Sequence, residues 1–345
     1  MQTQIIAIDK DNINDNKIEE CAKILKEGGL VAFPTETVYG LGALATDKEA
    51  AKKIYAAKGR PSDNPLIIHI SDPADAEKYA YTSPLYYKLA SAFMPGPITV
   101  ILPKRDTIPS EVTGGLDSVA VRCPSHEIAR ALISAAGDAI AAPSANLSGS
   151  PSPTESRHVI KDMDGRIDAI IEGGSAEIGL ESTIVKADGE SLTLLRPGAI
   201  TRDALLCVCE NVEIASAVTE ALKADERPLS PGMKYRHYAP KADLVLLDGE
   251  SEDIIAFLAE EAKDKRCLML AYTEEIPLLS SIAVIDVGNR DDLSTQAKRL
   301  FCALREADEL ELDKIYAHLP KKDGLGLALY NRMIRAAAHT VLKLN

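Results

Sequence analysis

The chain lacks the residues and patterns that mark several large protein classes. It has no tryptophan and only 11 tyrosines and 4 phenylalanines among 345 residues, so a platform of aromatic side chains that stack on single-stranded nucleic acid is not expected. It has no run of about 18 apolar residues, which a spanning helix needs. Its first residues lack the basic start and apolar stretch of a signal peptide. These absences predict a cytoplasmic protein with no membrane contact.

The charge balance is acidic, with 39 basic and 52 acidic side chains and a net charge of −13. A protein that wraps a nucleic-acid backbone through charge usually shows the opposite balance. Any anionic ligand must therefore meet basic side chains that the fold gathers locally. The hydrophobic share of 46% is enough to build a buried core.

The six cysteines and six histidines form no familiar metal or redox motif. No C-x-x-C pair occurs, and no two histidines are four residues apart. We expect reduced, structural cysteines. Motifs for Walker-type phosphate loops, zincins and α/β-hydrolases are also absent. Residues 40–45 spell G-x-G-x-x-A, but the polar run PTETVY separates them from the preceding strand, so we do not expect a dinucleotide site there.

The first two thirds of the chain alternate short apolar runs with helical patterns. Helices are predicted near 16–27, 47–57 and 201–209. The apolar runs predict strands at 5–8, 30–33, 66–70, 98–102, 118–122, 139–142, 169–172, 182–186 and 192–196. So many strands with interspersed helices predict an α/β domain with a twisted, mixed sheet.

A proline-rich tether precedes a second, smaller α/β block. Its strands are predicted at 244–247, 267–272, 283–287 and 314–319, with helices near 252–263, 291–308 and 326–342. Crossovers of this length predict a parallel, doubly wound, Rossmann-like sheet. The predicted domains are 1–205, a linker at 206–242, and 243–345. Within the linker, SPGMKYRHYAP is dense in polar and aromatic residues, which favours a lid that excludes water over a passive spacer.

Hydroxyl-rich, amide-rich and basic residues cluster beside the predicted strands of the first domain. The segments are PTETVYGLG (34–42), KGRPSDNP (58–65), DSVAVRCP (117–124), APSANLSGSPSP (142–153), ESTIV (181–185) and LLRPG (194–198). On strand 118–122, alternation puts Ser118, Ala120 and Arg122 on one face. Lysine, arginine and backbone N–H groups are the usual partners of phosphate, and a buried Arg122 needs an anionic partner. Their joint occurrence predicts one cleft for an anionic ligand.

These segments, in this order, resemble the YrdC-type threonylcarbamoyl-AMP synthases. The resemblance covers most of 1–205, and the tether with the second block resembles the longer, two-domain form. It implies an N-terminal YrdC-like domain and an enzyme that joins L-threonine, bicarbonate and ATP, releasing pyrophosphate. The product, threonylcarbamoyl-adenylate, passes to a downstream transferase machinery for threonylcarbamoyl-adenosine in tRNA, and tRNA itself is met only indirectly.

The resemblance also implies site residues. L-Threonine would be held by Thr35, His69, Arg122, Ala142 (through its backbone) and Ser182. ATP would be surrounded by Lys58, Arg60, Asn64, Ser118, Ser144, Asn146, Ser152, Arg196 and Tyr235. Mg²⁺ is expected on the ATP phosphates, with few protein ligands. No covalent or acid–base catalytic group is assigned, since such transfers depend mainly on alignment and electrostatic stabilisation.

Two other functions stay open from the residues alone. One is an RNA-binding module without catalysis, against which the acidic total argues. The other is a related enzyme that transfers a carbamoyl group from carbamoyl phosphate and needs no threonine. Pyrophosphate release that depends on threonine and bicarbonate distinguishes all three.

Overall fold

Strands and helices are interspersed along the described residues, as the sequence pattern predicts. A computed structural model describes residues 2–220, 237–263 and 266–344. They form two units. The first comprises residues 2–148, 152–177 and 181–220, and the second comprises residues 149–151, 178–180, 237–263 and 266–344.

The first unit is built on a large sheet. Its strands are β1 Gln4–Ala7, β2 Val31–Phe33, β3 Gly40–Leu44, β4 Ile67–His69, β5 Ile98–Pro103, β6 Ser118–Arg122, β7 Ile140–Ala142, β8 Ala169–Glu172, β9 Thr183–Asp188, β10 Ser191–Arg196 and β11 Asn211–Ile214. Its helices are α1 Asp15–Lys26, α2 Lys48–Lys58, α3 Pro84–Phe93, α4 Ser110–Thr113, α5 Glu127–Ala136, α6 Ser156–Met163 and α7 Arg202–Leu206, with 3₁₀ turns at Pro73–Lys78 and Ser216–Val218.

The strands lie in the order β1-β8-β2-β3-β7-β4-β6-β5-β9-β10-β11. The sheet contains parallel pairs, such as β4 with β6, and antiparallel pairs, such as β5 with β6, so it is mixed as predicted. Helices α1 and α5 bury one apolar side each against β1, β2 and β8, with Leu25, Phe33, Leu132 and Ile171 among the side chains of this core. Burial of each such side chain stabilises the fold by about 1.5–3 kcal/mol.

Local signals set the ends of the helix that leads to the KGRP loop. The side chain of Asp47 accepts from the amides of Glu49 and Ala50 at the start of α2. Gly59 ends the helix in the left-handed region, with φ 62°. Lys58 is thereby fixed on the last turn of α2, with Arg60 immediately beyond it.

The second unit has a parallel sheet. Its strands are β12 Asp243–Asp248, β13 Cys267–Ala271, β14 Ala283–Asp286, β15 Lys314–His318 and β16 Val341–Lys343, in the order β14-β13-β15-β12-β16. Its helices are α8 Ser251–Glu261, α9 Leu293–Ala307 and α10 Gly326–Ala336, with a 3₁₀ turn at Thr273–Leu278. The predicted doubly wound, smaller second sheet is confirmed.

The predicted helix at 326–342 is wrong beyond Ala336. Helix α10 ends at Ala336, and Val341–Lys343 forms strand β16 beside β12. The amide of Ala338 bonds to Arg335 O and the amide of His339 to Ile334 O, the pattern of a Schellman cap. Because Ala338, with φ 46°, takes the place that glycine usually fills, the sequence carries no visible stop signal.

Strands β3 and β11 were also absent from the sequence prediction. Strand β3 covers the G-x-G-x-x-A motif, and β11 pairs with β10 at the edge of the first sheet. The proposed boundary at residue 205 and the linker at 206–242 remain predictions. Tyr235 and most of the SPGMKYRHYAP segment lie outside the described residues. Within the described part of the chain, no helix has the length and apolar character needed to cross a membrane.

Candidate active site

Three neighbouring strands bring polar side chains to one face of the first sheet. Strands β4 and β6 are parallel, with His69 opposite Arg122. Strand β5 runs antiparallel on the other side of β6 with Val100 opposite Val121, so Thr99 comes next to Arg122. Because residues opposite each other on neighbouring strands point to the same face, His69, Arg122 and Thr99 form a polar row.

Arg122 is buried and forms an ion pair with Glu36. Its Nη2 lies 2.7 Å from Glu36 Oε1 and 3.5 Å from Thr35 Oγ1. Arg122 Nε and Glu36 Oε2 are buried and have no hydrogen-bond partner among the described residues. The anionic partner that a buried Arg122 requires is thus present within the chain. Glu36 was not among the predicted site residues, although it lies inside the quoted segment PTETVYGLG.

The loop between β2 and β3 is held by its own hydroxyl groups. Thr35 Oγ1 donates to Val38 O at 2.6 Å and accepts from the amides of Thr37 and Val38. The Thr35 and Thr37 hydroxyls are 2.9 Å apart. All these residues are buried. The loop therefore presents Glu36 to Arg122 from a fixed backbone.

Burial keeps His69 neutral. Its pKa is lowered to about 3, first by loss of solvation and second by the Arg122 cation. Nδ1 lies 3.2 Å from Ile67 O and 3.3 Å from Ile140 O, two acceptors, so in the neutral ring the proton belongs on Nδ1. Phe33 packs edge-on against the ring, with centroids 5.9 Å apart. Nε2 is then left as a hydrogen-bond acceptor.

Two further site residues contact each other beside this row. Arg196 Nε donates to Ser182 O at 3.0 Å, and its Nη2 donates to Ser182 Oγ at 3.1 Å. Ser182 Oγ is also 2.7 Å from Thr99 Oγ1. Thr99, which the sequence reasoning missed, thus links the Ser182–Arg196 pair to the strand next to Arg122. Glycine at position 198 allows the chain after Arg196 to pass close to the backbone of Thr183, because a Cβ at this position would lie 2.6 Å from the amide nitrogen of Thr183.

Lys58 fixes the loop that follows β7. Its Nζ donates to the carbonyl oxygens of Ser144 and Asn146, the second at 2.5 Å. Ser144 Oγ in turn bonds to Asn146 Oδ1. Lys58 is only 2% exposed. Three predicted ATP residues therefore form one cross-linked group in which the cation meets backbone carbonyl oxygens.

Arg60 and Asn64 form a second local group in the KGRPSDNP loop. Arg60 Nη2 donates to Asn64 O at 3.3 Å and to Pro65 O at 3.1 Å. Tyr55 on helix α2 donates to Glu111 O at 2.9 Å and reaches Asn64 O at 3.3 Å. Asn64 Oδ1 is buried and has no partner in the described part of the chain. The loop thus folds back onto its own backbone.

Ser118 lies at the far end of the same strand as Arg122. Arg122 is four positions further along β6, which is about 13 Å along an extended strand. Between them lies an apolar floor that includes Ile67, Ala120 and Ile101. A cavity of about 340 Å³ adjoins Ser118 and is also lined by Lys186. A ligand that reaches both Ser118 and Arg122 must lie along this floor.

The hydroxyl group of Ser152 bonds to an acidic residue, and not to another of the predicted ATP residues, among the described hydrogen bonds. Its hydroxyl donates to Glu181 Oε1 at 2.6 Å, and both side chains are buried. Glu181 directly precedes Ser182, so this pair connects the loop after β7 to the segment before β9. Glu181 is a further buried acid that sequence reasoning did not assign.

Glycines let the strands around Ala142 pack closely. Ala142 is opposite Ile67 in the register of β7 with β4, and Gly40 forms a bridge with Ser144. A Cβ on Gly42 would lie 2.7 Å from Ile140 Cγ2. The glycines of the G-x-G-x-x-A motif therefore serve strand packing within β3.

The predicted residues thus fall into contacting groups along one region of the first unit. Thr35 joins Arg122, Ser182 joins Arg196, and Lys58 joins the Ser144 loop. Tyr235 lies outside the described residues. Among the described residues, no three His, Cys, Asp or Glu side chains are grouped as metal ligands. Glu36, Thr99 and Glu181 are buried polar residues in contact with predicted site residues, and the sequence reasoning did not assign them.

Family models match both parts of the chain. Residues 23–198 match the model of the Sua5, YciO and YrdC family, described as telomere recombination. Residues 200–338 match the model described as threonylcarbamoyl-AMP synthase, C-terminal domain. Together the two matches span most of the chain.

Similar proteins extend over the full length. The threonylcarbamoyl-AMP synthase of Bacillus subtilis is 45% identical over 338 residues, 97% of each chain. The threonylcarbamoyl-AMP synthase of Pyrococcus abyssi is 42% identical over 351 residues, covering 97% of this chain and 98% of that one. A crystal structure of P. abyssi Sua5 complexed with L-threonine superposes with a TM-score of 0.92 at 41% identity, covering 99% of this chain and all of that one.

Proposed function

This chain belongs to the Sua5/YrdC family of threonylcarbamoyl-AMP synthases, and we propose that it joins L-threonine, bicarbonate and ATP into threonylcarbamoyl-adenylate with release of pyrophosphate. The observation that carries this proposal is the 42–45% identity to two such synthases over 97% of the chain. The buried polar row on β4, β5 and β6 supports it, because it offers a charged pair and a neutral imidazole in one place.

We propose that threonine binds at Thr35, His69, Arg122, Ala142 and Ser182. Arg122 is the cation for the carboxylate. The Nε2 of neutral His69 can accept a hydrogen bond from the threonine hydroxyl or amine, which a protonated ring could not do. A site built to pair a hydroxyl group discriminates against an analogue that lacks it, because its own polar atoms are then left unpaired.

ATP is proposed to bind around Lys58, Arg60, Asn64, Ser118, Ser144, Asn146, Ser152, Arg196 and Tyr235. Lys58, Arg60 and Arg196 are buried cations, and each donates to a backbone carbonyl oxygen. A triphosphate is a stronger partner for such groups than a carbonyl oxygen, since charge-assisted hydrogen bonds are about twice as strong as neutral ones.

The proposed reaction proceeds in two steps. The threonine amine adds to bicarbonate and loses water, which gives a carbamate. A carbamate oxygen then attacks the α-phosphorus of ATP, the bond to the β-phosphate oxygen breaks, and pyrophosphate leaves. In this scheme the protein aligns the two reactants and stabilises charge, and no covalent intermediate with a side chain is needed.

Mg²⁺ is proposed to accompany ATP and to neutralise charge on its phosphate oxygens. The described residues fit this role, because they offer hydroxyl and amide oxygens near the proposed ATP residues and no cluster of three acidic or histidine ligands that would hold the ion without ATP. The resemblance further leads us to propose a cytoplasmic location and a downstream transferase that uses the adenylate for tRNA modification.

The test is pyrophosphate release by the purified chain with ATP, Mg²⁺, threonine and bicarbonate, with the product identified by mass spectrometry. We expect threonylcarbamoyl-adenylate only when all the substrates are present. Pyrophosphate release without threonine, or carbamoyl transfer from carbamoyl phosphate, would contradict the proposal in favour of the second enzyme class. RNA binding with no turnover would favour the binding module.

A further inference from the structure

The ion pair between Arg122 and Glu36 uses only one of the two carboxylate oxygens of Glu36. Nη2 of Arg122 and Oε1 of Glu36 are 2.7 Å apart, and the two side chains are 5% and 4% exposed. The second carboxylate oxygen, Glu36 Oε2, and the guanidinium Nε of Arg122 are buried and have no hydrogen-bond partner among the described residues. One buried acceptor and one buried donor therefore belong to the same pair of side chains.

A pair that only neutralised itself would be expected to use both of these atoms. Arginine and a carboxylate frequently form two parallel hydrogen bonds, which satisfy two oxygens and two nitrogens at once. Here a single bond joins them, and leaving buried polar atoms unpaired costs free energy. The loop around Thr35 holds Glu36 in this arrangement through its own hydrogen bonds. Two buried polar atoms of this pair, one acceptor and one donor, therefore have no hydrogen-bond partner among the described residues.

An α-amino acid supplies the matching pair of charges on one carbon atom. We propose that Glu36 binds the ammonium group of threonine through Oε2, while Arg122 binds the carboxylate. This inference rests on the proposed function and adds Glu36 to the threonine site. The two protein charges and the two ligand charges then alternate in sign, so no charge is buried without a partner.

The arrangement selects substrates by their free α-amine. A hydroxy acid offers Glu36 Oε2 only a neutral hydroxyl donor, and an amino alcohol offers Arg122 Nε only a neutral oxygen, so each analogue loses one charge-assisted contact. Neutral His69 adds no competing positive charge beside the ammonium group. Glu36 is thus a specificity-determining residue that contacts the substrate, distinct from a residue that acts only by holding Arg122.

Calorimetry without ATP tests the proposal with two ligands, L-threonine and 2,3-dihydroxybutanoate, in which a hydroxyl replaces the amine. In the wild-type chain we expect the dihydroxy acid to bind at least about tenfold more weakly, as for a lost charge pair. In Glu36→Gln we expect the Kd for threonine to rise by about tenfold or more, and the Kd for the dihydroxy acid to change by less than about threefold. Glu172→Gln is the matched control and should alter neither value, because the Glu172 carboxylate, on strand β8, accepts from Ser156 of helix α6.

Equal losses of both ligands in Glu36→Gln would overturn the proposal, because Glu36 would then act only through Arg122. An unchanged threonine Kd would also overturn it. If Glu36→Gln does not fold, Glu36→Asp keeps the charge and should weaken threonine binding but not dihydroxy-acid binding. Adenylate synthesis is measured in parallel: a wild-type chain that binds threonine but makes no adenylate contradicts the proposed function alone. The inference alone is contradicted if the wild-type chain makes adenylate and the ratio of the two Kd values, for threonine and the dihydroxy acid, is the same in Glu36→Gln as in the wild type.

Discussion

His69 shows how burial sets the chemical state of one residue in the candidate site. The ring is 3% exposed, and its pKa falls from an ordinary 6.5 to about 3 because burial and Arg122 both oppose a positive charge. The ring is therefore neutral in the folded chain at any pH above about 3. The unfolded chain still takes up a proton on this residue near pH 6.5.

Replacing His69 with asparagine should flatten the dependence of stability on pH. Between about pH 6.5 and pH 3 the unfolded state binds the proton and the folded state does not, so the free energy of unfolding falls as the pH falls, by at most about 1.4 kcal/mol per pH unit. Above about pH 6.5 the residue contributes no pH dependence. Urea unfolding at pH 5.0, 5.5, 6.0, 6.5 and 7.5 should show a shallower slope below about pH 6.5 for His69→Asn. Equal slopes in both proteins would contradict a depressed pKa, since the other histidines are common to both.

The sequence identifies the types of residue at the site better than their partners. Lys58 and Arg122 were expected to be cations that reach the cleft, and both are buried, Lys58 on the last turn of α2 and Arg122 at the end of β6. The sequence could not show that Lys58 meets the Ser144 and Asn146 carbonyls or that Glu36 pairs with Arg122, because these partners are 86–88 residues away along the chain. Which of these residues bind ligand remains a prediction.

At the scale of elements, strand β3 depends on glycine for its contact with β7. A Cβ on Gly42 would approach Ile140 Cγ2 to 2.7 Å and Phe33 Cε1 to 2.9 Å, whereas a Cβ on Gly40 would meet Phe33 and Ala142 at 3.1–3.4 Å. The distances from Gly42 are too short for two carbon atoms. The distances from Gly40 are tight, but a small shift of the Phe33 side chain relieves them.

Gly42→Ala should therefore destabilise the fold more than Gly40→Ala. Overpacking of a filled core costs about 1–3 kcal/mol, and we expect Gly42→Ala in this range with Gly40→Ala below it. Because Ile140 O contacts His69 Nδ1, displacement of β7 should also weaken threonine binding in Gly42→Ala. Chemical denaturation and calorimetry measure the two effects. Equal stability of Gly42→Ala and the wild type would mean that β3 does not pack as described.

Strands with a continuous apolar run were predictable, and strands set by long-range pairing were not, while the amphipathic helix α5 was absent from the predicted helices. The strands over 98–102 and 118–122 agree with β5 and β6 almost to the residue. Strand β3 was hidden because GLGAL has little β-propensity, and it forms only between β2 and β7. Strand β16 was hidden because the helix before it ends at alanine instead of glycine.

At the scale of the molecule, the resemblance to a two-domain YrdC-type synthase is confirmed, and so is the mixed first sheet with a smaller parallel sheet. The motifs that carried the resemblance are spread over 34–198, so they specify the first unit strongly. The charge of −13 says nothing about the site, because Arg122, Arg196 and Lys58 are buried within an acidic chain. Local structure, not net charge, determines which anion can bind.

The extent of the first folding unit leads to the last prediction. Strand β11 pairs with β10 over four residues, and Arg202 Nε donates to Val212 O at 3.1 Å. A chain that ends after residue 220 retains all eleven strands of the first sheet, whereas a chain that ends after 205 loses β11 and the buried Val212 and Val218. We expect the shorter chain to be less stable by about 3–6 kcal/mol, at 1.5–3 kcal/mol for each buried valine.

Both truncated chains can be compared by urea unfolding, threonine calorimetry and pyrophosphate release. The chain that ends after 220 should still bind threonine, because the predicted threonine residues lie between 35 and 182. It should release no pyrophosphate if Tyr235 belongs to the ATP site, as the resemblance implies. Equal stability of the two chains would support the boundary at 205, since β11 would then add nothing to the first unit. Full synthesis by the chain that ends after 220 would show that neither the tether nor the second unit is required for the reaction.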